Sequence, residues 1–154
     1  MRVAVFGSRT GYDMNHLDSW LHALWQKQGP TTELVSGGAD GVDTYAEQTW
    51  LAFGGAVTSF RPLKINAWDK EDEYAIECWK LGGDSPMVFQ MLDHPTWADF
   101  ASAAAYRDML IAEYAERGAG FRANKSRGTT LTVEFFESLG KPVYLYEEGS
   151  NAQS

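Results

Sequence analysis

Glu33-Leu34-Val35-Ser36-Gly37-Gly38-Ala39-Asp40-Gly41-Val42-Asp43 changes character twice within a short span. Glu33 to Ser36 is a short, mostly apolar run and predicts a strand. Residues 37–41 are dominated by glycine and predict a tight turn. Beyond it Tyr45, Ala46, Thr49, Trp50 and Phe53 recur at helical spacing. Thr44 and Glu47 have the spacing of a capping box, which places the helix start near them. Gly54-Gly55 closes the helix. Strand, glycine turn and helix in this order form the repeating unit of a parallel sheet.

Working outward, the same unit repeats. Val3 to Phe6 is an unbroken apolar run ending in Gly7, as expected for a strand buried on both faces. Leu17, Trp20, Leu21, Leu24 and Trp25 follow at helical spacing, and Gly29-Pro30 stops them. Ala56 to Phe60 is a third strand, closed by Pro62. The expected fold is a Rossmann-like three-layer α/β/α domain with a parallel five-stranded sheet, order 3-2-1-4-5, and right-handed crossovers.

Residues 63–95 break the alternation. They hold Trp68, acids at Asp69, Glu71, Asp72 and Glu73, a short helical stretch to about Leu81, and a Gly-Gly-Asp-Ser-Pro turn. The expectation is a helical insertion after strand 3 that covers one end of the sheet. A long helix capped near Thr96 carries Phe100, Ala103, Ala104, Leu110, Ile111 and Tyr114, and ends around Gly118-Ala119-Gly120. Residues 120–123 are a weak fourth strand, 130–139 a helix, and Pro142 to Tyr146 the fifth strand. One domain is expected over 1–148, with a flexible polar tail at 149–154.

The 154 residues are 44% hydrophobic and 14% aromatic, which excludes collagen, coiled coil and wholesale disorder. Thirteen bases against 21 acids give a net charge of −8. That average disfavours a phosphate polyanion, so no long nucleic acid is expected as a partner. The charge is uneven, however: residues 69–99 hold eight acids and two lysines, leaving small anionic ligands open. Cys78 is the single cysteine, and His16, His22 and His94 lack ligand spacing, so neither a disulfide nor a metal site is expected. No apolar run suits a bilayer and the N-terminus lacks signal-peptide character, so the expected location is the cytoplasm, away from membranes.

In an open parallel sheet ligands bind beyond the carboxyl ends of the strands where strand order reverses. Three loops should meet there. Gly7-Ser8-Arg9 offers a tight turn, a hydroxyl and a forked cation, or a plain turn with a solvated arginine. Gly37, Gly38, Ala39, Asp40, Gly41 and Asp43 open a helix, whose free N–H groups suit a phosphate. Asp40 and Asp43 can hydrogen-bond ribose hydroxyls or simply cap that helix. Lys125, Ser126, Arg127, Gly128, Thr129 and Thr130 form a second anion cradle or a capped surface loop. The acids at 69–73 could hold a divalent ion or form a solvated face. Trp68 is the candidate for stacking on a base. The nucleophile elbow, the P-loop and the full dinucleotide fingerprint are all missing.

Val3-Ala4-Val5-Phe6-Gly7-Ser8-Arg9, Ser36 to Asp43, Tyr106-Arg107-Asp108-Met109, Arg127-Gly128-Thr129 and Gly140-Lys141-Pro142-Val143 occur in order. This pattern resembles the YspA-like branch of the SLOG superfamily, which includes the LOG cytokinin-activating phosphoribohydrolases and the DNA-processing protein DprA. The resemblance implies a Rossmann-like domain that senses, sequesters or hydrolyses a nucleotide-derived ligand, in settings such as bacterial or phage conflict. In the LOG enzymes a helix arginine and the glutamate of Pro-Gly-Gly-x-Gly-Thr-x-x-Glu are catalytic. Arg107 matches the arginine. Asn124-Lys125-Ser126 replaces Pro-Gly-Gly, and Glu134 lies six residues after Gly128, which turns its carboxylate off the cradle face.

The resemblance and the loops together lead to a module binding a small phosphorylated, nucleotide-like ligand. Arg9, Arg107, Lys125 and Arg127 are expected to neutralise it. No cofactor is required, although an NAD-derived ligand fits, and a homodimer is open. The alternative is a nucleotide or nucleoside N-glycosidase, for which Arg107, Glu134, Asp40, Asp43 and the 69–73 acids are the catalytic candidates. A third alternative is an interaction protein with a vestigial site.

Overall fold

Val3, Ala4, Val5 and Phe6 are all buried because their strand, β1 (Arg2–Gly7), lies inside the sheet with helices on both faces. The computed structural model describes residues 1–65, 72–84, 86–91 and 96–148. After β1 come α1 (Met14–Gln28), a 3-10 turn at Gly29–Thr31, β2 (Glu33–Ser36), α2 (Val42–Ala52) and β3 (Ala56–Lys64). Then follow β4 (Tyr74–Leu81), β5 (Met87–Gln90), α3 (Phe100–Tyr114), β6 (Arg117–Arg122), α4 (Arg127–Ser138) and β7 (Val143–Glu147).

The sheet has seven strands in the order β5-β4-β3-β2-β1-β6-β7. Its parallel part, β3-β2-β1-β6-β7, has the order expected for five strands. The expectation of a purely parallel five-stranded sheet is corrected by β4 and β5, which extend the sheet as an antiparallel hairpin. The expected helix ending near Leu81 is therefore a strand. Alternate residues Ile76 and Cys78 turn into the core, the two-residue period of a sheet. Gly82 and Gly83, both at positive φ, turn the hairpin.

Pro62 does not end β3, which continues to Lys64. Ile65 N–H bonds Glu73 O, so alternation puts Pro62 at a non-hydrogen-bonded pair with Ile76. On its other side β2 has already ended at the Ser36–Ser59 pair, so the missing N–H is not needed. Trp68, His94 and the tail 149–154 lie outside the described residues, as do Asp69 and Glu71 of the expected acidic cluster.

Two further boundaries move. The long helix is capped by Asp99, whose side chain accepts from Ser102 N–H, and it ends at Tyr114. Gly118 and Gly120 belong to β6, where side chains would collide with Phe136 and Phe6, so glycine lets these rings lie on the strand. Thr44 and Glu47 form no capping box: α2 starts at Gly41, Thr44 bonds back to Ala39 O, and Glu47 pairs with Arg61.

One core packs α1 and α2 on a face of the sheet around Leu17, Leu21, Val42 and Trp50. The other packs α3 and α4 on the opposite face around Phe6, Ile76, Ile111 and Phe136. Among the described residues, no helix is long and apolar enough to cross a membrane.

Candidate functional site

A cleft of about 540 Å³ opens at the carboxyl ends of β1 and β6, where strand order reverses. Its walls come from the β1–α1 loop (Gly7 to Thr10), the β2–α2 loop (Ala39, Asp43), α3, and the β6–α4 loop with the start of α4. Three of the expected loops thus converge where the switch-point rule puts them.

The loops are tied together by their own residues. Gly7 packs so closely on β6 that a Cβ would lie 2.3 Å from Phe121 O. Ser8 is buried, and its hydroxyl donates to Ala123 O at 3.2 Å while accepting from Ala123 N–H at 2.8 Å. That hydroxyl fastens β1 to β6. Gly41, at φ 84°, brings its Cα against Ser8 and Arg9, where a Cβ would meet Arg9 O at 2.3 Å.

Asp43 clasps two loops. Its Oδ1 accepts from Gly7 N–H at 3.1 Å, and its Oδ2 from Gly37 and Ala39 N–H at 3.2 and 3.4 Å. Burial pushes its carboxyl up to about 7, against the attraction of Arg107 and the Gly7 N–H, with Asp108 adding to the rise. At the α2 N-terminus two of the first-turn donors are already paired: Val42 N–H donates to Ser8 O and Thr44 N–H to Ala39 O. Those donors are consumed by the turn itself.

Arg107 lies on α3, 7% exposed. Its Nη1 donates to Gly37 O at 2.7 Å and its Nε to Asp108 Oδ1 at 2.7 Å. Asp108 is also buried and lines the cleft, and burial pushes its carboxyl up. Arg107 is thus ion-paired with the buried Asp108, and its charge also acts on the buried Asp43. Asp108 was not among the expected site residues; its place directly after Arg107 in Tyr106-Arg107-Asp108-Met109 was the available signal.

Behind the glycine loop, Arg61 packs where a Gly38 side chain would stand. It donates to Glu47 at 2.6 Å and to Ser59 Oγ at 3.0 Å, and its guanidinium lies 4.2 Å from the Trp79 ring centre. Described residues of the expected insertion therefore buttress the loop through β4.

The open donors lie at the other helix. Among the described residues, the N–H groups of Arg127, Gly128 and Thr129 at the start of α4 have no acceptor. Gly128 and Thr129 line the cleft, and a Cβ on Gly128 would meet nothing within 4 Å. Arg9 and Thr10 line the same cleft, with the Arg9 guanidinium 5.8 Å from the Phe100 ring centre. Ala101, Ala104 and Ala105 of α3, with Leu131, form a smooth apolar wall.

The expected site residues thus separate. Gly7, Ser8, Arg9, Ala39, Asp43, Arg107, Ser126, Gly128 and Thr129 line the cleft. Gly37 contacts Arg107 behind it, while Gly38 and Gly41 shape the turn. Asp40, Lys125, Arg127 and Glu134 are exposed and do not line the cleft, and Thr130 binds Arg122 and Ser126 O. Of Arg107, Glu134 and Asp40, the structure brings only Arg107 to the cleft. No group of His, Cys, Asp or Glu among the described residues is arranged to hold a metal ion.

No protein-family model matches the chain, and neither does any curated protein. Solved structures do match in fold. DNA processing protein A from Helicobacter pylori, described for its single-stranded DNA binding mode, aligns with a TM-score of 0.63 at 16% identity. The alignment covers 94% of this chain and 64% of that one. DNA processing protein A from Streptococcus pneumoniae gives 0.65 at 19% identity, covering 94% and 49%. TM1055, a structural-genomics target, gives 0.56 at 17% identity, covering 92% and 71%. The chain therefore spans just under two thirds and about half of these two DprA chains. At these identities the likeness is one of fold. It also corrects one expectation. A protein of this fold binds single-stranded DNA, so the exclusion of long nucleic acid does not stand. Net charge averages over the whole surface and does not describe the field at one cleft.

Proposed function

We propose that the cleft binds a nucleotide or nucleotide-derived ligand, as a sensing or sequestering module. The observation that carries this is the set of unpaired N–H groups on Gly128 and Thr129, in a cleft that Arg9 and an apolar wall also line. A helix N-terminus with free donors and a nearby arginine suits a phosphate group. The Ala101–Ala104–Ala105 wall and Phe100 suit the face of a base. Lys125 and Arg127 add positive charge near the rim instead of inside the cleft. The Gly-Gly-Ala-x-Gly-x-Asp element at 37–43 and Gly7-Ser8-Arg9 support placement beside the YspA-like branch.

A second reading rests on a different observation. Asp43 and Asp108 are buried acids that line the cleft with Arg107, and burial raises both carboxyls. The Asp43 carboxyl, raised to about 7, can keep a proton near neutrality. That suits hydrolysis of an N-glycosidic bond, in which a carboxyl protonates the leaving base and water adds to the sugar. Mass spectrometry of ligand released from the purified protein tests the first reading. Incubation with nucleoside monophosphates, NAD and a single-stranded oligonucleotide, followed by chromatography, tests the second. Free base marks the enzyme; retention without turnover marks the binding module. Absence of both retention and turnover for every ligand would remove both readings.

A further inference from the structure

The β7 end of the sheet carries surface that the cleft does not use. Tyr144 is 64% exposed, and its ring lies 4.5 Å from that of Tyr146 on the α1 side of the sheet. Among the described residues nothing pairs with the outer edge of β7. A hollow of about 640 Å³ lies on one side of the two tyrosines, with Lys27 and Arg117 among its lining residues. A second, of about 430 Å³, lies on the other side and includes Glu147 and Glu148. The cationic hollow is at the start of β7 and the acidic one at its end.

We propose that this edge pairs with the same edge of a second copy of the chain, antiparallel about a two-fold axis at Leu145. The backbone sets that register. Gly118 N–H bonds Pro142 O and Glu148 N–H bonds Arg122 O, so the even-numbered residues of β7 face β6. Val143, Leu145 and Glu147 therefore direct their N–H and C=O outward. A two-fold at Leu145 sets Val143 against the partner's Glu147 and Leu145 against Leu145, which uses all of these groups. Tyr144 then stands opposite the partner's Tyr146 on one face, in the closer, non-hydrogen-bonded type of pair.

Charge agrees with this register. Glu148 shares the face of Tyr144 and Tyr146, and its charge helps raise the Tyr12 hydroxyl on that side. Antiparallel pairing sets Glu148 opposite the partner's Pro142, at the level of Arg117 and beside Lys27. The acidic end of each copy meets the cationic end of the other, as an isologous interface requires.

Sedimentation of the full chain tests the proposal, together with concentration-dependent amide exchange. The expected result is a dimer whose Val143, Leu145 and Glu147 amides gain protection as concentration rises. Tyr144→Glu, at an exposed position, should weaken it by roughly tenfold or more while leaving the circular dichroism intact. Lys27→Glu and Glu148→Lys should each weaken it a few-fold, and the double variant should recover affinity. A monomeric wild type would overturn the proposal. So would a dimer that Tyr144→Glu leaves unchanged and whose three amides exchange freely.

Discussion

Asp43→Asn isolates the buried carboxyl that holds the cleft loops together. The change keeps the shape of the side chain and removes its ability to ionise. It also leaves a mismatch. An asparagine oxygen can serve Gly37 and Ala39, but its amide then faces the Gly7 N–H, donor against donor. One unsatisfied N–H costs about 1–3 kcal/mol at any pH. The pH-dependent part has the opposite sign from a surface carboxylate. Burial raises the Asp43 carboxyl from its ordinary value of 3.8 to about 7 in the folded protein, so folding favours its protonated form. Its stabilisation is complete below the unfolded value and is lost as pH rises towards 7. Between pH 5 and pH 8 that shift removes on the order of 2–3 kcal/mol from the wild type. The variant loses nothing from this site, and Asp108, present in both, largely cancels. Urea unfolding of both proteins at pH 5 and pH 8 measures the difference. Wild type should exceed Asp43→Asn most at pH 5, and the gap should shrink or reverse by pH 8. A gap independent of pH, or one that widens as pH rises, would refute the account. The latter would mean that the three N–H groups outweigh burial.

Other substitutions separate packing from binding. Gly7→Ala puts a methyl 2.3 Å from Phe121 O and 2.8 Å from Val42. It should cost about 1–3 kcal/mol and lower the melting temperature. Arg107→Ala leaves Asp43 and Asp108 buried without their cation and frees Gly37 O; a loss of about 3–5 kcal/mol is expected in denaturant unfolding. Lys141 donates from Nζ to the carbonyls of Ala112, Glu113 and Ala115 at 2.7–2.8 Å, closing the end of α3. Lys141→Met should cost about 1–2 kcal/mol, read in the same assay.

The periodic parts of the chain were legible because burial and sequence agree there. Val3 to Phe6, Glu33 to Ser36 and Ala56 to Phe60 fall on strands, and their order in the parallel part follows from the alternation with helices. The hairpin was not legible. Tyr74-Ala75-Ile76-Glu77-Cys78-Trp79-Lys80-Leu81 mixes buried and half-buried residues, since one face packs on α3 and the other supports Arg61. Gly118 and Gly120 read as breakers because the rings lying over them come from Phe6 and Phe136, far away in sequence. Within the site, the glycine loops could be located from sequence, but the partners of their donors could not. That Val42 N–H is taken by Ser8 O depends on two loops meeting in space. Which N–H groups at the starts of α2 and α4 stay unpaired emerges only once the loops meet in space.

Gly128 gives the most direct test of the binding cleft. Its Cβ position is open, and an acid in the first turn of α4 favours the helix dipole, so Gly128→Asp should keep or slightly raise stability. The same carboxylate would face the position assigned to the phosphate. Calorimetric titration of wild type and Gly128→Asp with adenosine monophosphate and its unphosphorylated nucleoside is the measurement. The account predicts that wild type binds the monophosphate more tightly than the nucleoside, and that Gly128→Asp loses this preference without losing thermal stability. Equal affinity of wild type and variant for the monophosphate would contradict it.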